Sequence, residues 1–346
     1  MIAARLVLVA LCAGLVLASR AGAGGSHDDP IGAAALDDVL EPAVRALVAE
    51  AFSVVERHGE EVWPGFAAAP RQIVVATPGH DVLLCPDGPV SGFAPLGPDP
   101  VSGCEAYVRD LTFPERIAAS FPAVEGRPTV VIGLPAFLQA EPFDWTVTVV
   151  HERFHQYQQA WPGYYAAVDA LDLAGGDEGG MWMLNYPFPY DEPQVEAAFD
   201  AMAGMLLAAL DAPDDGVEEA AAAYWAAREA ARLSVPERDW RYFEFQLWNE
   251  GLSRWTERAI SEAAGRHDPD YAAHAEHERL SMINSLQALR QDGLGAWKRS
   301  AVYAIGAGEG ALLERIRPGW RAAYFAEPMQ TGSYFRFDPV EPGEGR

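Results

Sequence analysis

Histidines at 151 and 155 enclose a glutamate at 152 in the run His151-Glu152-Arg153-Phe154-His155. On a helix, residues four apart stand one above the other, so both imidazoles can reach a single metal ion. Glu152 projects about 100° further round than His151. That is close enough to act on a water beside the ion and too far round to replace a ligand. Residues of these types at this spacing suit zinc-assisted hydrolysis, most often of peptide bonds. The flanks support a two-faced helix. Asp144 is placed to N-cap it, and Trp161-Pro162-Gly163 to end it. Val150, Phe154 and Tyr157 form an apolar stripe, with Trp161 one turn on, whereas His151, His155 and Gln158 fall on another face with Val147 and Thr148. A chance match would be a surface helix with two solvated histidines, and the apolar stripe argues against that.

A catalytic zinc site needs a third protein ligand and leaves its fourth position to water. The best candidate is Glu250, in Trp248-Asn249-Glu250-Gly251-Leu252-Ser253-Arg254-Trp255-Thr256-Glu257. Helical spacing puts Trp248, Leu252, Trp255 and Ala259 on one apolar stripe, and Glu250, Arg254 and Glu257 on another face. A helix burying two tryptophans can aim a carboxylate rigidly. Glu257 is expected to be an exposed acid, or to stand behind a ligand.

These two stretches resemble a known group. Val149-Val150-His151-Glu152-Arg153-Phe154-His155-Gln156-Tyr157-Gln158, followed by Glu250-Gly251-Leu252-Ser253-Arg254-Trp255-Thr256-Glu257, is similar to the gluzincin branch of zinc metallopeptidases. More narrowly, it resembles bacterial members with an H-E-x-x-H-x-x-Q helix and a later E-G-L-A-x-Y-x-E helix. The likeness covers the two helices directly and residues 130 to 330 by layout. It implies that His151, His155 and Glu250 hold one Zn2+ ion and that Glu152 is the general base. Glu152 would take a proton from water attacking a peptide carbonyl and return it to the leaving amine. The oxyanion needs a further donor. Tyr303, in an apolar helix, is the first candidate and His80 the second; a core tyrosine and a turn residue are the plainer readings of the two. His274 and His277, in a charged stretch, are expected to be solvated.

The chain also departs from the better-known gluzincins. Glu250 follows His155 by 95 residues, far more than in thermolysin-like enzymes. Arg254 stands where those enzymes place an acid that orients a zinc histidine. There is no G-x-M-E-N exopeptidase motif; Gly180-Met181-Trp182-Met183-Leu184-Asn185 is only superficially similar to it. The metal chemistry stands, and the substrate stays open. One alternative is a non-catalytic exported binding or envelope-assembly module on a zincin fold, against which the presence of Glu152 speaks. Another is a zinc hydrolase of a non-peptide amide or ester, separable only by substrate profiling.

Residues 1–23 have the layout of a secretory signal peptide: Arg5, an apolar run from Leu6 to Leu17 too short to span a bilayer, and the cleavage pattern Ala21-Gly22-Ala23. Leu11 is too large for Cys12 to be a usual lipidation site. The expectation is an exported protein, periplasmic, cell-surface or secreted, with no stable membrane insertion after signal removal. In that setting Cys85 and Cys104 could pair across the Gly/Pro-rich residues between them. The formal charge of −25 becomes −27 without the signal, which carries Arg5, Arg20 and no acid. Such a surface repels nucleic acid and anionic membrane. A peptide or protein substrate is the implied partner.

The pattern as a whole reads as α+β and zincin-like: a small N-terminal sheet with helices, then a mostly helical lobe. Residues 24–35 are expected to be a disordered linker, 36–335 the catalytic domain and 336–346 a tail. Within the domain, the sheet lobe covers about 36–140, the metal helix 144–160 and the helical lobe about 190–325. A helix is expected over 37–62, with strands at 72–76, 81–85, 105–108 and 129–133. Residues 164–191 read as a long aromatic loop whose Met181, Trp182, Tyr186, Phe188 and Tyr190 either line a pocket or pin the loop to the body. Helices follow over 192–211, 215–233, 238–264, 273–291 and 296–316.

Overall fold

The computed structural model describes residues 35–177 and 179–335. The expected signal peptide, all of the linker except residue 35, and the 336–346 tail lie outside the described residues. The protein is α+β and divides into two compact units, one ending at Tyr164 and the other beginning at Tyr165.

The first unit is built on a mixed six-stranded sheet. Its strands are β1 (Ile73–Thr77), β2 (His80–Leu84), β3 (Ala94–Asp99), β4 (Cys104–Asp110), β5 (Ala118–Val124) and β6 (Arg127–Gly133), in the order β3-β4-β2-β1-β6-β5. Only β1 and β6 run parallel. The run Ile73-Val74-Val75-Ala76 is fully buried, as a central strand covered on both faces must be. One face gathers Val74, Ala76, Leu83, Ala119, Val124 and Val131 around Phe113 and Ile117. Gly79 takes the positive φ of 81° that the β1–β2 turn requires, and so places His80 at the turn end of β2.

Strands β3 and β5 are additions to the expected set. Their sequences, Ala-Pro-Leu-Gly-Pro-Asp and Ala-Ala-Ser-Phe-Pro-Ala-Val, argue against strands because proline removes a ladder donor. Both lie at the edges of the sheet, where one side of the backbone needs no partner, so the prolines are tolerated. Cys85 and Cys104 are joined in a disulfide. Closing a loop of this length contributes about 3 kcal/mol.

The helix expected from Asp37 breaks into Leu36–Val39 and Pro42–Val62, because the residue before a proline avoids the helical region and Glu41 stays extended. The histidine helix runs Pro142–Ala160 and packs on β5, β6 and the Pro42–Val62 helix. Pro142 opens it at the first helical position, so Asp144 is not the N-cap. It sits in the first turn, where its carboxylate suits the helix dipole. The helix stops at Trp161 as expected.

The second unit is helical: Pro193–Asp211, Val217–Leu233, Glu237–Gln246, Leu252–Gly265, Pro269–Asp292 and Ala301–Ile316 are its longer helices. The helix expected over 296–316 is interrupted at Lys298, whose φ is 47°. The 164–191 stretch contains the short helices Tyr164–Ala170 and Trp182–Asn185. Three of its aromatics pin it to the helices: Trp182 on Phe245, Tyr186 stacked on Tyr242, and Phe188 against Phe199 and Phe243. Among the described residues no helix is long and apolar enough to cross a membrane.

Candidate metal centre

The histidine helix is fixed by side chains from its own sequence. Phe154 and Tyr157 pack on Phe66, and Phe154 also on Trp63. Arg153, inside the histidine motif, is fully buried; it donates to the carbonyls of Phe52 and Ala69 and lies over the Phe52 ring. Burial lowers its pKa to about 10, with Arg71 adding to the effect and Glu56 opposing it. Gln156 bridges the carbonyls of Gln72 and Pro128, Gln159 reaches Ser120 on β5, and Trp145 donates to Gly133. Rotation of this helix would break several of these bonds together, so the orientation of the histidines is set by the sheet.

His151 and His155 are both buried, with ring centroids 4.8 Å apart. Their Nε2 atoms lie 3.1 Å from each other. Neighbouring donors on a tetrahedral zinc stand roughly 3.3 Å apart. Gln158 Oε1 is 2.7 Å from His155 Nδ1. An amide oxygen only accepts, so Nδ1 carries the proton and Nε2 presents its lone pair.

Glu250 lies in Leu247–Gly251, where the helix widens to a π-turn closed by Leu252 N–H on the Leu247 carbonyl. A π-turn inserts a residue and offsets the faces on either side of it. Close backbone packing holds it: a Cβ on Gly251 would come within 2.6 Å of Gly306 Cα, and a Cβ on Gly306 within 2.5 Å of Gly251 Cα. Trp248, Leu252 and Trp255 are buried as the apolar stripe requires. Asn249 Nδ2 donates to Glu250 Oε1 at 3.3 Å.

His151, His155 and Glu250 are each buried and each offers one ligand atom; these atoms all lie within 4.8 Å of one another, so the group could hold a metal ion. Two imidazole nitrogens and one carboxylate oxygen fit a divalent cation of borderline hardness. Glu152 is buried beside His151 on the same helix.

Tyr303 is half-buried rather than a plain core residue. Arg299 Nη2 donates to its hydroxyl at 3.2 Å, and burial together with the Glu250 charge pushes its phenol well above the ordinary value. Two expectations change. Glu257 is not an exposed acid: it is buried and ion-paired with Arg254, which also pairs with Glu278. Arg254, in the position of the missing acid, is thereby turned to carboxylates on its own and a neighbouring helix. His274 is not solvated; its side chain is only 9 % exposed, with Nδ1 3.3 Å from Ser261 Oγ. His277 is exposed as expected.

Sequence reasoning missed Arg299, and it assigned Gln158 to the histidine face without a role. The available signal was spacing: Gln246 and Glu250 are four apart, as are Arg299 and Tyr303. Arg299 joins the two pairs. No protein-family profile, curated protein or solved structure matches this chain.

Proposed function

We propose that this chain is an exported zinc-dependent hydrolase on a zincin-like fold, and that it cleaves peptide bonds. The observation that carries the reading is the grouping of His151, His155 and Glu250 ligand atoms, with Glu152 buried next to the first histidine. The resemblance of the two helices to gluzincins supports it, and the export assignment rests on residues 1–23 alone.

Zinc, when bound, supplies Lewis acidity and lets water act as a nucleophile at neutral pH. The remaining chemistry belongs to the chain. His151 and His155 present Nε2, the second of them fixed by Gln158. The Glu152 carboxylate accepts the proton of the attacking water and delivers it to the leaving nitrogen. Tyr303 Oη, held by Arg299, is the donor for the developing oxyanion.

The test is a peptide-library digest by the chain lacking residues 1–23, with and without a zinc chelator. Expected is cleavage that the chelator abolishes and added zinc restores. Cleavage indifferent to the chelator would overturn the zinc mechanism. A zinc-loaded protein that cuts esters or non-peptide amides but no peptide would replace the substrate class.

A further inference from the structure

We propose that Arg299 is the positioning residue of this centre, holding the Glu250 carboxylate and the Tyr303 hydroxyl in one fixed arrangement. The proposal rests on the metal-site reading above. Arg299 sits in the single turn Lys298–Ser300 immediately before the Ala301–Ile316 helix. Its side chain is 17 % exposed, and its Nη1 lies 3.5 Å from Glu250 Oε1. Nη1 also donates to Gln246 Oε1 at 3.0 Å, and Nη2 to Tyr303 Oη at 3.2 Å. The guanidinium lies 5.5 Å from the centroid of the Tyr303 ring. One planar group therefore addresses three side chains from two helical segments, which a flexible ammonium on a longer stem would not do.

Charge explains why a cation is needed here. A buried carboxylate is costly unless it is paired and hydrogen-bonded. Asn249 supplies a neutral donor to Oε1, and Arg299 brings the positive charge. The group on His155 is a neutral amide, Gln158, rather than a carboxylate. Arg254, which stands four residues after Glu250 where the better-known gluzincins place an acid, is committed to Glu257 and Glu278. Orientation of the carboxylate ligand falls to Arg299. Groups behind a ligand typically govern metal affinity by 10- to 100-fold, because they hold the ligand in its binding rotamer.

The experiment is a zinc-affinity double-mutant cycle, read by competition with a chromogenic chelator, on wild type, Arg299→Ala, Glu250→Gln and the double variant. Far-UV circular dichroism and cooperative unfolding check the metal-free fold. Arg299→Ala is expected to weaken zinc binding about 10- to 100-fold. In the Glu250→Gln background the same change should cost almost nothing more, since there is no ligand carboxylate left to position. Arg299→Lys, which keeps the charge and loses the fork, should fall between wild type and alanine, and it carries the test if the alanine variant does not fold. Arg299→Ala binding zinc as tightly as wild type, or losses that add in full, would overturn the proposal while leaving the hydrolase reading intact. Wild-type protein that binds no zinc would instead remove the reading on which it rests.

Discussion

Glu152→Gln is expected to retain the metal and to lose about 10²- to 10⁴-fold in kcat, the scale of a positioned general base. The substitution removes a proton acceptor and little else. Gln matches Glu in size and in helix propensity. Residue 152 is buried, so a smaller replacement would leave a cavity and a charge reversal would disturb the ligands; Gln does neither. The histidines are aimed by Arg153, Gln156, Gln159 and Trp145, all anchored to backbone carbonyls independently of Glu152. Zinc content by mass spectrometry and kcat on one peptide make the check. Activity within tenfold of wild type would take the base role away from Glu152.

Arg228→Met is expected to cost about 3–5 kcal/mol of stability, the scale of removing one partner from a buried ion pair. Arg228 is fully buried in the helical unit and lies over Trp240. It makes a two-pronged contact with Glu244, at 2.7 and 2.9 Å, and a third bond to Glu309 at 2.7 Å. Thr331 and Gly332 donate their backbone N–H groups to Glu244, so the chain near the C-terminus is tied to the same charges. Methionine would leave two buried carboxylates without their cation. Urea unfolding of wild type and variant measures the difference, and a loss below about 1 kcal/mol would show the network to be marginal. The pH dependence has a definite sign. Burial alone would raise the Glu244 pKa; the Arg228 charge and hydrogen bonds outweigh it and hold the group below its ordinary value. A depressed carboxylate contributes stability above its unfolded pKa and loses it as pH falls through the folded one. Wild type should therefore lose stability with acid below about pH 4.3, and the variant should lose less over that range.

The parts of the site that were legible in the sequence are those that depend on helical spacing alone. The histidine pair, the apolar stripe of Phe154 and Tyr157, and the tryptophans beside Glu250 follow from a period of 3.6 residues. What depends on tertiary context was not legible. Pro95, Pro98 and Pro122 hid two strands, because a proline cannot reveal that its strand lies at an edge. The π-turn at Leu247–Gly251 departs from the plain helix that the spacing suggests, and the backbone packed against it, at Gly306, is 55 residues away in sequence. Glu257 is expected to be either exposed or behind a ligand, because a lone acid on an amphipathic helix gives no sign that Arg254 will pair with both it and Glu278. Arg299 was missed for the same reason: its turn carries no motif, and only the fold brings it to Glu250.

The most direct measurement is a zinc titration of the chain lacking residues 1–23, beside His151→Ala, His155→Ala and Glu250→Ala. One tightly bound zinc per chain is predicted for the parent, with binding weakened about 100-fold or more in each variant, since each loses one of only three protein donors. A Glu250→Ala protein that holds zinc as tightly as the parent, or a parent that holds none, would contradict it.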